Sequence, residues 1–248
     1  MITRKSAAEI DTMRRAGRVV AEVLALVEAE LRPGVSTAHL DRLAEEHIRK
    51  AGATPSFKGY YGYPSSICVS IDREVVHGIP GDRPVREGQV VSIDAGAIVD
   101  GYHGDAARTF IVGAAPRAVR DLVDATRQAL EAGIAAARPG NRVWDVSAAV
   151  EDVALPHGYG VVRPYVGHGI GTAMHEEPQV PNYRTKTRGI ELAPGICLAI
   201  EPMFTLGAAD VETLADGWTV VTVDGSIAAH WEDSLAVTER GPEVLTRL

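Results

Sequence analysis

The sequence predicts an α+β protein that is built as one domain from two related halves, each with two helices followed by strands. Helical periodicity gives way to strand-like runs twice along the chain. Two short segments also recur about 107 residues later, a spacing too long for a solenoid. Arg-Pro-Gly at 32–34 returns at 138–140, and the strand-like run 88–94 returns at 195–201. Because no Pro-, Ser- or Gly-rich linker separates the halves, approximately 1–113 and 114–248, we expect a single domain over residues 1–248.

The helices are marked by caps and breakers. Ser6 and Glu9 form a capping-box pattern before an apolar stripe that continues to Leu31, and Pro33-Gly34 ends that helix. A second helix is expected over 35–51. In the second half, Pro116 opens a helix that Pro139-Gly140 ends, and valines from 143 to 153 mark a fourth. Strands are expected at 66–71, 89–93 and 106–112 and in the runs that follow Gly160.

A hairpin in the first half predicts a pair of neighbouring carboxylates. Asp100-Gly101 between two apolar runs indicates a tight turn, so that Val99 faces Tyr102 and Asp94 faces Ala107. Asp94 and Asp105 then lie on one face as diagonal neighbours, roughly 7–8 Å apart. Two such carboxylates repel each other unless a cation or a proton lies between them. A solvated acidic sheet face is the alternative that this pair alone leaves open.

The second half supplies a matching set of residues. Glu201 ends the strand-like run at 196–200, and Glu232 lies on a returning strand beyond a second Asp-Gly turn, Asp224-Gly225. His168 adds a nitrogen ligand between two glycines, which leave the backbone room to approach a ligand. Four carboxylates and one imidazole suit two divalent ions of the manganese, iron, cobalt or zinc kind, about 3.5 Å apart. They do not suit a closed structural zinc site.

Two further histidines, His77 and His175, stand out. His77 shares the tripeptide His-Gly-Ile with His168, one copy in each half, and His175 opens the run His-Glu-Glu-Pro. The remaining histidines are expected at the surface or in satisfied core positions. These are His39, His47, His103, His157 and His230.

At these residues the sequence resembles the type I methionine aminopeptidases of the pita-bread fold, from the first helix to the C-terminus. The motifs that carry the resemblance are Val75-Val76-His77-Gly78-Ile79-Pro80, Ile93-Asp94, Asp100-Gly101-Tyr102-His103-Gly104-Asp105, Gly167-His168-Gly169-Ile170-Gly171, His175-Glu176-Glu177-Pro178 and Ile200-Glu201-Pro202-Met203. The resemblance implies two pseudo-symmetric halves of paired helices on a curved, mainly antiparallel sheet. It also implies a single catalytic domain that removes the initiator methionine from nascent polypeptides when the second residue is small and uncharged.

The resemblance also implies a role for each site residue. Asp94 would hold one of two divalent ions (cobalt, manganese, iron, zinc or nickel), His168 and Glu201 the other, and Asp105 and Glu232 both. Glu201 would also act as general base. His77 and His175 would contact the substrate and help to transfer protons.

The resemblance places the methionine pocket in the stretch 57–68. Tyr60, Tyr63 and Cys68 would line the pocket, and Phe57, Met174 and Trp218 would close its sides. Met174 stands where many relatives have an aromatic ring, and Asp233 follows Glu232 where many have histidine. For Cys68, an ordinary buried strand position is the alternative.

Two other activities share parts of this pattern. An Xaa-Pro dipeptidase or aminopeptidase shares the fold and the five ligands, but it usually carries an extra N-terminal domain and lacks the Val-His-Gly-Ile-Pro run. A non-catalytic scaffold of this fold would lose metal ligands, whereas all five are present. Cleavage of Met-Ala-Ser against Gly-Pro, and the metal content, distinguish these alternatives.

Composition limits the partners and the compartment. With 33 acidic and 25 basic residues the formal net charge is −8, so the basic stripe of a DNA-binding protein is not expected. The apolar runs are too short for a membrane span, and the charged N-terminus is unlike a signal peptide. The 2 cysteines favour a reducing compartment. We therefore expect a cytoplasmic monomer whose contact with the ribosome is transient, and weak because residues 206–216 contain three acids and no lysine.

Overall fold

The computed structural model describes residues 2–248, and within this range the chain forms four α-helices. They are α1 (Ala7–Glu30), α2 (Thr37–Lys50), α3 (Arg117–Ala136) and α4 (Val143–Ala154). The expected capping box is present: the Ser6 hydroxyl accepts from the Glu9 amide, and the Glu9 carboxylate accepts from the Ser6 amide at 2.7 Å. Each expected helix is therefore found, with its ends displaced by one or two residues.

The strands of the described residues form one large sheet and two small ones. The strands are β1 (Thr54–Pro55), β2 (Ile67–Ile71), β3 (Glu74–Val76), β4 (Val90–Val99), β5 (Tyr102–Ile111), β6 (Gly160–Val161), β7 (Gly167–Gly169), β8 (Glu176–Val180), β9 (Cys197–Ile200), β10 (Met203–Thr205), β11 (Val211–Thr213), β12 (Val220–Thr222), β13 (Ala228–His230), β14 (Glu232–Thr238) and β15 (Gly241–Val244). The large sheet has the order β1-β4-β5-β14-β9-β7-β8, with β2 paired to β4 and β15 to β14. The small sheets are β13-β10-β6 and β11-β12-β3.

Each half of the large sheet packs against its own pair of helices. One apolar cluster joins α1 and α2 to β2 and β4, and a second joins α3 and α4 to β9 and β14. The two halves meet where β5 pairs with β14, antiparallel like the other pairs of the large sheet. This arrangement confirms the expected α+β class, with paired helices on a curved antiparallel sheet.

The two hairpins that carry the acidic residues differ in construction. In the first half, β4 and β5 pair without interruption, and Val99 faces Tyr102 and Asp94 faces Ala107, as the sequence predicts. In the second half the hairpin is broken: β9 is followed by β10, and β13 by β14, with β11 and β12 inserted between them. Asp224-Gly225 therefore turns the chain from β12 into β13, rather than joining the strands beside Glu201 and Glu232 directly.

Two other observations concern the described part of the chain. None of its helices is long and apolar enough to cross a membrane. Cys68 and Cys197 are both buried free thiols there.

Candidate active site

Strand register brings acidic side chains from both halves to one face of the sheet. Asp94 on β4 lies opposite Ala107 on β5, and Ala107 lies opposite Glu232 on β14. Asp105 is two residues before Ala107, so its side chain lies on the same face, because side chains alternate along a strand. The hairpin residues Asp94 and Asp105 are thus diagonal neighbours as predicted, and Glu232 joins them from the other half.

His168 and Glu201 reach the same face by the same rule. His168 on β7 lies opposite Ala199 on β9, which in turn lies opposite Ser234 on β14. Ala199 and Ser234 are each two residues away from a proposed ligand, Glu201 and Glu232 respectively. The five residues that the sequence singled out as ligands therefore line one cavity.

The ligand atoms lie at distances that suit a shared cation. His168 Nε2 is 3.8 Å from Glu201 Oε1 and 4.0 Å from Asp105 Oδ2, which is too long for a hydrogen bond. Asp105, His168 and Glu232 each offer an atom within 4.8 Å of the other two. Their exposed fractions are 3%, 6% and 2%. This buried group could hold a metal ion.

The carboxylates are strongly perturbed by their surroundings. Burial raises the pKa of Asp94 to about 7, which nearby His230 opposes, and burial raises the pKa of Glu201 to about 8. Burial and the neighbouring acids raise the pKa values of Asp105 and Glu232 well above the ordinary range. Within residues 2–248, one buried oxygen on each of Asp94, Asp105 and Glu232 finds no hydrogen-bond partner. Unpaired oxygens on crowded, buried acids fit divalent cations, which would neutralise their charge.

The segment around His168 fixes the orientation of its ring. A Cβ on Gly167 would lie 2.5 Å from the Ala199 carbonyl oxygen, and one on Gly169 would lie 2.3 Å from that of Glu177. Glycine is therefore required on both sides of His168. The Nδ1 atom lies 2.9 Å from the Gly169 carbonyl oxygen. Since a carbonyl only accepts, Nδ1 carries the proton and Nε2 presents its lone pair to the acids.

His77 and His175 flank this cluster. His77 adopts a φ of 60°, a left-handed conformation that is uncommon for residues other than glycine and that turns the chain beside the site. The ring of His175 lies 4.4 Å from that of His168, and its Nδ1 is 2.8 Å from the Tyr60 hydroxyl. Burial lowers the pKa of His77 to about 4, with His230 and His175 contributing, and burial also lowers the pKa of His175.

An apolar pocket adjoins the acidic cluster. Cys68 on β2 lies directly opposite Asp94, so the pocket shares a wall with the acids. Phe57, Tyr63 and Met174 pack with Cys68 in one buried cluster. Tyr60, Ile79 and Trp218 pack against that cluster, and the Trp218 ring meets the Tyr63 ring edge-on at 5.0 Å. The cavity that includes this pocket and the acids measures about 240 Å³.

The cavity also has walls that the sequence did not predict. Tyr61, Tyr165 and Val166 line it, and the Tyr165 ring lies 5.5 Å from that of His77. Tyr165 and Val166 immediately precede the motif that contains His168. Their position next to that motif in the sequence could have predicted that they line the cavity.

His230 lies at the acidic cluster, contrary to the expectation that it occupies a surface or satisfied core position. It is 1% exposed, and its Nε2 finds no hydrogen-bond partner among the described residues. Nε2 lies 3.6 Å from Glu201 Oε2 and 3.9 Å from Glu232 Oε2. Its spacing from Glu232 could have predicted this position, because residues two apart on an extended segment share a face.

Asp233 faces away from the acidic cluster. Its buried carboxylate accepts from Arg108 at 2.6 Å, from Arg247 at 2.6 Å and from the Thr246 hydroxyl at 2.7 Å. Asp233 therefore ties β14 to β5 and to the C-terminal residues. The residue that departs from the common family pattern has a structural environment of its own, separate from the proposed ligands.

Comparison with known proteins agrees with this geometry. The chain matches the model of metallopeptidase family M24 over residues 11–239. It is 51% identical to a methionine aminopeptidase of Clostridium acetobutylicum, over 99% of each chain. It superposes on the crystal structure of methionine aminopeptidase from Thermotoga maritima with a TM-score of 0.98 at 44% identity, over 100% of both chains.

A second structural neighbour matches over a smaller share of its own length. The Xaa-Pro dipeptidase from Bacillus anthracis superposes with a TM-score of 0.79 at 25% identity, over 99% of this chain and 62% of that one. Together these neighbours confirm the pita-bread fold that the sequence resemblance implied. Because the family match covers nearly the whole chain, this protein belongs to metallopeptidase family M24.

Proposed function

We propose that this chain is a dinuclear metal-dependent aminopeptidase that removes the N-terminal methionine from nascent polypeptides whose second residue is small and uncharged. The observation that carries the proposal is the apolar pocket whose wall, at Cys68 and Asp94, is shared with the acidic cluster. A side chain seated in that pocket brings its own backbone next to the acids. The full-length match to methionine aminopeptidases supports the same activity.

Each proposed ligand has a distinct position. Asp94 would hold one ion, His168 and Glu201 would hold the other, and Asp105 and Glu232 would serve both. The chemistry that two divalent ions would supply here is a nucleophile at neutral pH and polarisation of the scissile carbonyl. The unpartnered oxygens on Asp94, Asp105 and Glu232, identified within the described range, support this assignment.

The remaining steps belong to the protein's own side chains. Glu201 takes the proton of the attacking water at its carboxylate, as general base. His77 and His175 are neutral at pH 7 because burial lowers their pKa values, so each can donate one hydrogen bond to the scissile amide. When the Tyr60 hydroxyl donates to Nδ1 of His175, the proton of that ring lies on Nε2.

The pocket accounts for the specificity that we propose. An unbranched thioether fits between aromatic rings and gains roughly 0.3–1.5 kcal/mol from each sulfur–ring contact. Leucine branches too early for such a slot, and a charged side chain would lose its hydration without gaining a partner. The scissile amide must also reach the acidic cluster, so we propose that a bulky second residue would clash with the walls of the cavity and that small ones are preferred.

Peptide cleavage under one added metal tests this function. We expect release of free methionine from Met-Ala-Ser, loss of that activity in excess chelator, and recovery when Co²⁺ or Mn²⁺ is added back. Leu-Ala-Ser, Lys-Ala-Ser and Met-Arg-Ser should be poor substrates. Equal rates for leucine and methionine would overturn the pocket assignment. Faster cleavage of Gly-Pro would favour an Xaa-Pro peptidase, and absence of both metal binding and cleavage would favour a scaffold.

The proposed substrate also defines the setting. Nascent chains are made in the cytoplasm, so we propose that the enzyme acts there, as a monomer.

A further inference from the structure

His230 is a buried polar side chain at the acidic cluster that the proposed mechanism leaves unused. It ends β13, and its ring lies beside the two glutamates of the second half. Glu201 lies between two imidazoles: its Oε1 is 3.8 Å from His168 Nε2, and its Oε2 is 3.6 Å from His230 Nε2. The glutamate is thus flanked by a histidine on each side.

The main chain of His230 is held firmly in this position. Its amide donates to the Thr109 hydroxyl at 2.9 Å, and its carbonyl accepts from the same hydroxyl at 2.6 Å. On the other side it pairs with Met203 of β10, two residues beyond Glu201. Two neighbouring strands fix the backbone, and the side chain is 1% exposed, so close packing leaves the ring little room to turn away from the acids.

We propose that His230 is an additional metal ligand, and that its Nε2 binds the same ion as Glu201 and Glu232. The inference rests on the proposed metal centre. Metal–nitrogen and metal–oxygen bonds are about 2.0–2.2 Å long, so two ligands of one ion lie about 3 Å apart at right angles and up to about 4.2 Å apart when opposite. The observed separations of 3.6 and 3.9 Å fall within that range, and both exceed hydrogen-bond length.

The orphaned Nε2 strengthens the case. A buried ring nitrogen without a partner is costly, and within residues 2–248 this atom has none. A cation held by the adjacent carboxylates supplies that partner without any movement of the backbone. The centre then has two imidazoles and four carboxylates, a set richer in nitrogen than the sequence indicated. A second imidazole favours cobalt, nickel and zinc over manganese.

The alternative role for His230 is that of a positioning residue that donates a hydrogen bond to Glu201 and never touches the ion. The two roles respond differently to His230→Gln, because the glutamine amide can still donate a hydrogen bond but lacks an imidazole nitrogen. If His230 only positions Glu201, glutamine should largely restore Co²⁺ affinity and alanine should not. If it is a ligand, both variants should bind Co²⁺ at least about tenfold more weakly, since loss of an outer partner alone costs about 10–100-fold. Mn²⁺ affinity should change less.

Proton NMR of the Co²⁺-loaded full-length protein counts the bound imidazoles directly. Ring protons of ligating histidines shift far outside the normal range, and growth on ring-deuterated histidine identifies them. We expect such signals from two histidines in the wild type and from one in His230→Gln. The control His103→Gln should keep both, because His103 is a buried histidine that bonds Ser56 at 3.0 Å and is absent from the lining of the described cavity.

Each outcome separates the two proposals. Signals from a single histidine in the wild type, or an unchanged spectrum in His230→Gln, overturn the assignment of His230 and leave the metal centre intact. No shifted signal and no calorimetric binding of Co²⁺ overturn the metal centre itself. The wild-type spectrum decides the question even if a variant does not fold.

Discussion

The stability of the metal-free protein should fall as the pH rises from 7 to 8. Burial raises the pKa of Asp94 to about 7 and that of Glu201 to about 8, whereas in an unfolded chain these groups titrate near 3.9 and 4.3. The folded protein therefore holds protons that the unfolded chain has released. Because the pKa values are higher in the folded protein, bound protons stabilise the folded state. This contribution to the free energy of unfolding is fully present below pH 4 and is lost as the pH rises through 7 and 8.

The size of the effect follows from these values. Between pH 7 and 8, Asp94 and Glu201 together hold on average about one proton more in the folded state, which corresponds to about 1.4 kcal/mol, and Asp105 and Glu232, whose pKa values are also raised, add to this decline. For a chain of this size that lowers the melting temperature by roughly 3–6 °C. Burial lowers the pKa values of His77, His168 and His230 to about 4, 3 and 4. These histidines destabilise the folded protein only as the pH falls below about 6.5, where they become protonated in the unfolded chain first. Above pH 7 their contribution to the free energy of unfolding is nearly constant.

Thermal melts in chelator, compared with melts in saturating Co²⁺, measure this effect. Bound cations keep the acids ionised, so the loaded protein should show little of the decline, and stabilisation by metal should be larger at pH 8 than at pH 7. Glu201→Gln removes one of these titrations and should make the metal-free curve less steep, while the other buried acids keep part of the decline. A metal-free melting temperature that stays level or rises between pH 7 and 8 would show that the acids are not protonated together as their burial implies.

Three further outcomes are expected. Glu201→Gln should lower kcat by more than a general base alone supplies, roughly 10²–10⁴, because it also weakens a ligand; full activity would refute that role. Gly169→Ala should destabilise the protein by about 1–3 kcal/mol and weaken metal binding, because the added Cβ would lie 2.3 Å from a carbonyl oxygen. The control Gly81→Ala adds a Cβ with nothing within 4 Å, so its melting temperature and its metal affinity by calorimetry should be unchanged. Sedimentation with ribosomes at low salt should be weak because residues 206–216 contain three acids and no lysine, and tight, salt-sensitive binding through that stretch would contradict this.

Features that depend on local chemistry could be read from the sequence. The Ser6 and Glu9 cap fixes where α1 begins, and Asp100-Gly101 fixes the register of β4 and β5. Register alone then brings Asp94 and Asp105 to one face. These predictions are confirmed because caps and two-residue turns are determined by residues that are neighbours in the chain, and they depend little on the rest of the fold.

Features that depend on distant pairing could not be read in the same way. The second hairpin is broken after β9, and its course depends on the pairing of β10 with β13 and on the inserted β11 and β12. His230 reaches the acids because Thr109, 121 residues away, holds its backbone. In the sequence this histidine belongs to no recognised motif, and its spacing of two from Glu232 is the one local sign of its position.

The site lies at the junction of the halves, so its geometry depends on how they are joined. Strands β5 and β14 pair at Glu232 with Ala107 and at Asp233 with Ala106. Side chains beside these positions reinforce the pairing: the Ser234 hydroxyl accepts from the Asp105 amide at 3.1 Å and donates to its carbonyl at 2.8 Å. Arg108 donates to the Glu232 carbonyl and to the Asp233 carboxylate. The groups that join the halves are thus adjacent in sequence to the proposed ligands. A substitution at this junction should therefore change metal affinity together with stability, because neither half holds a complete set of ligands.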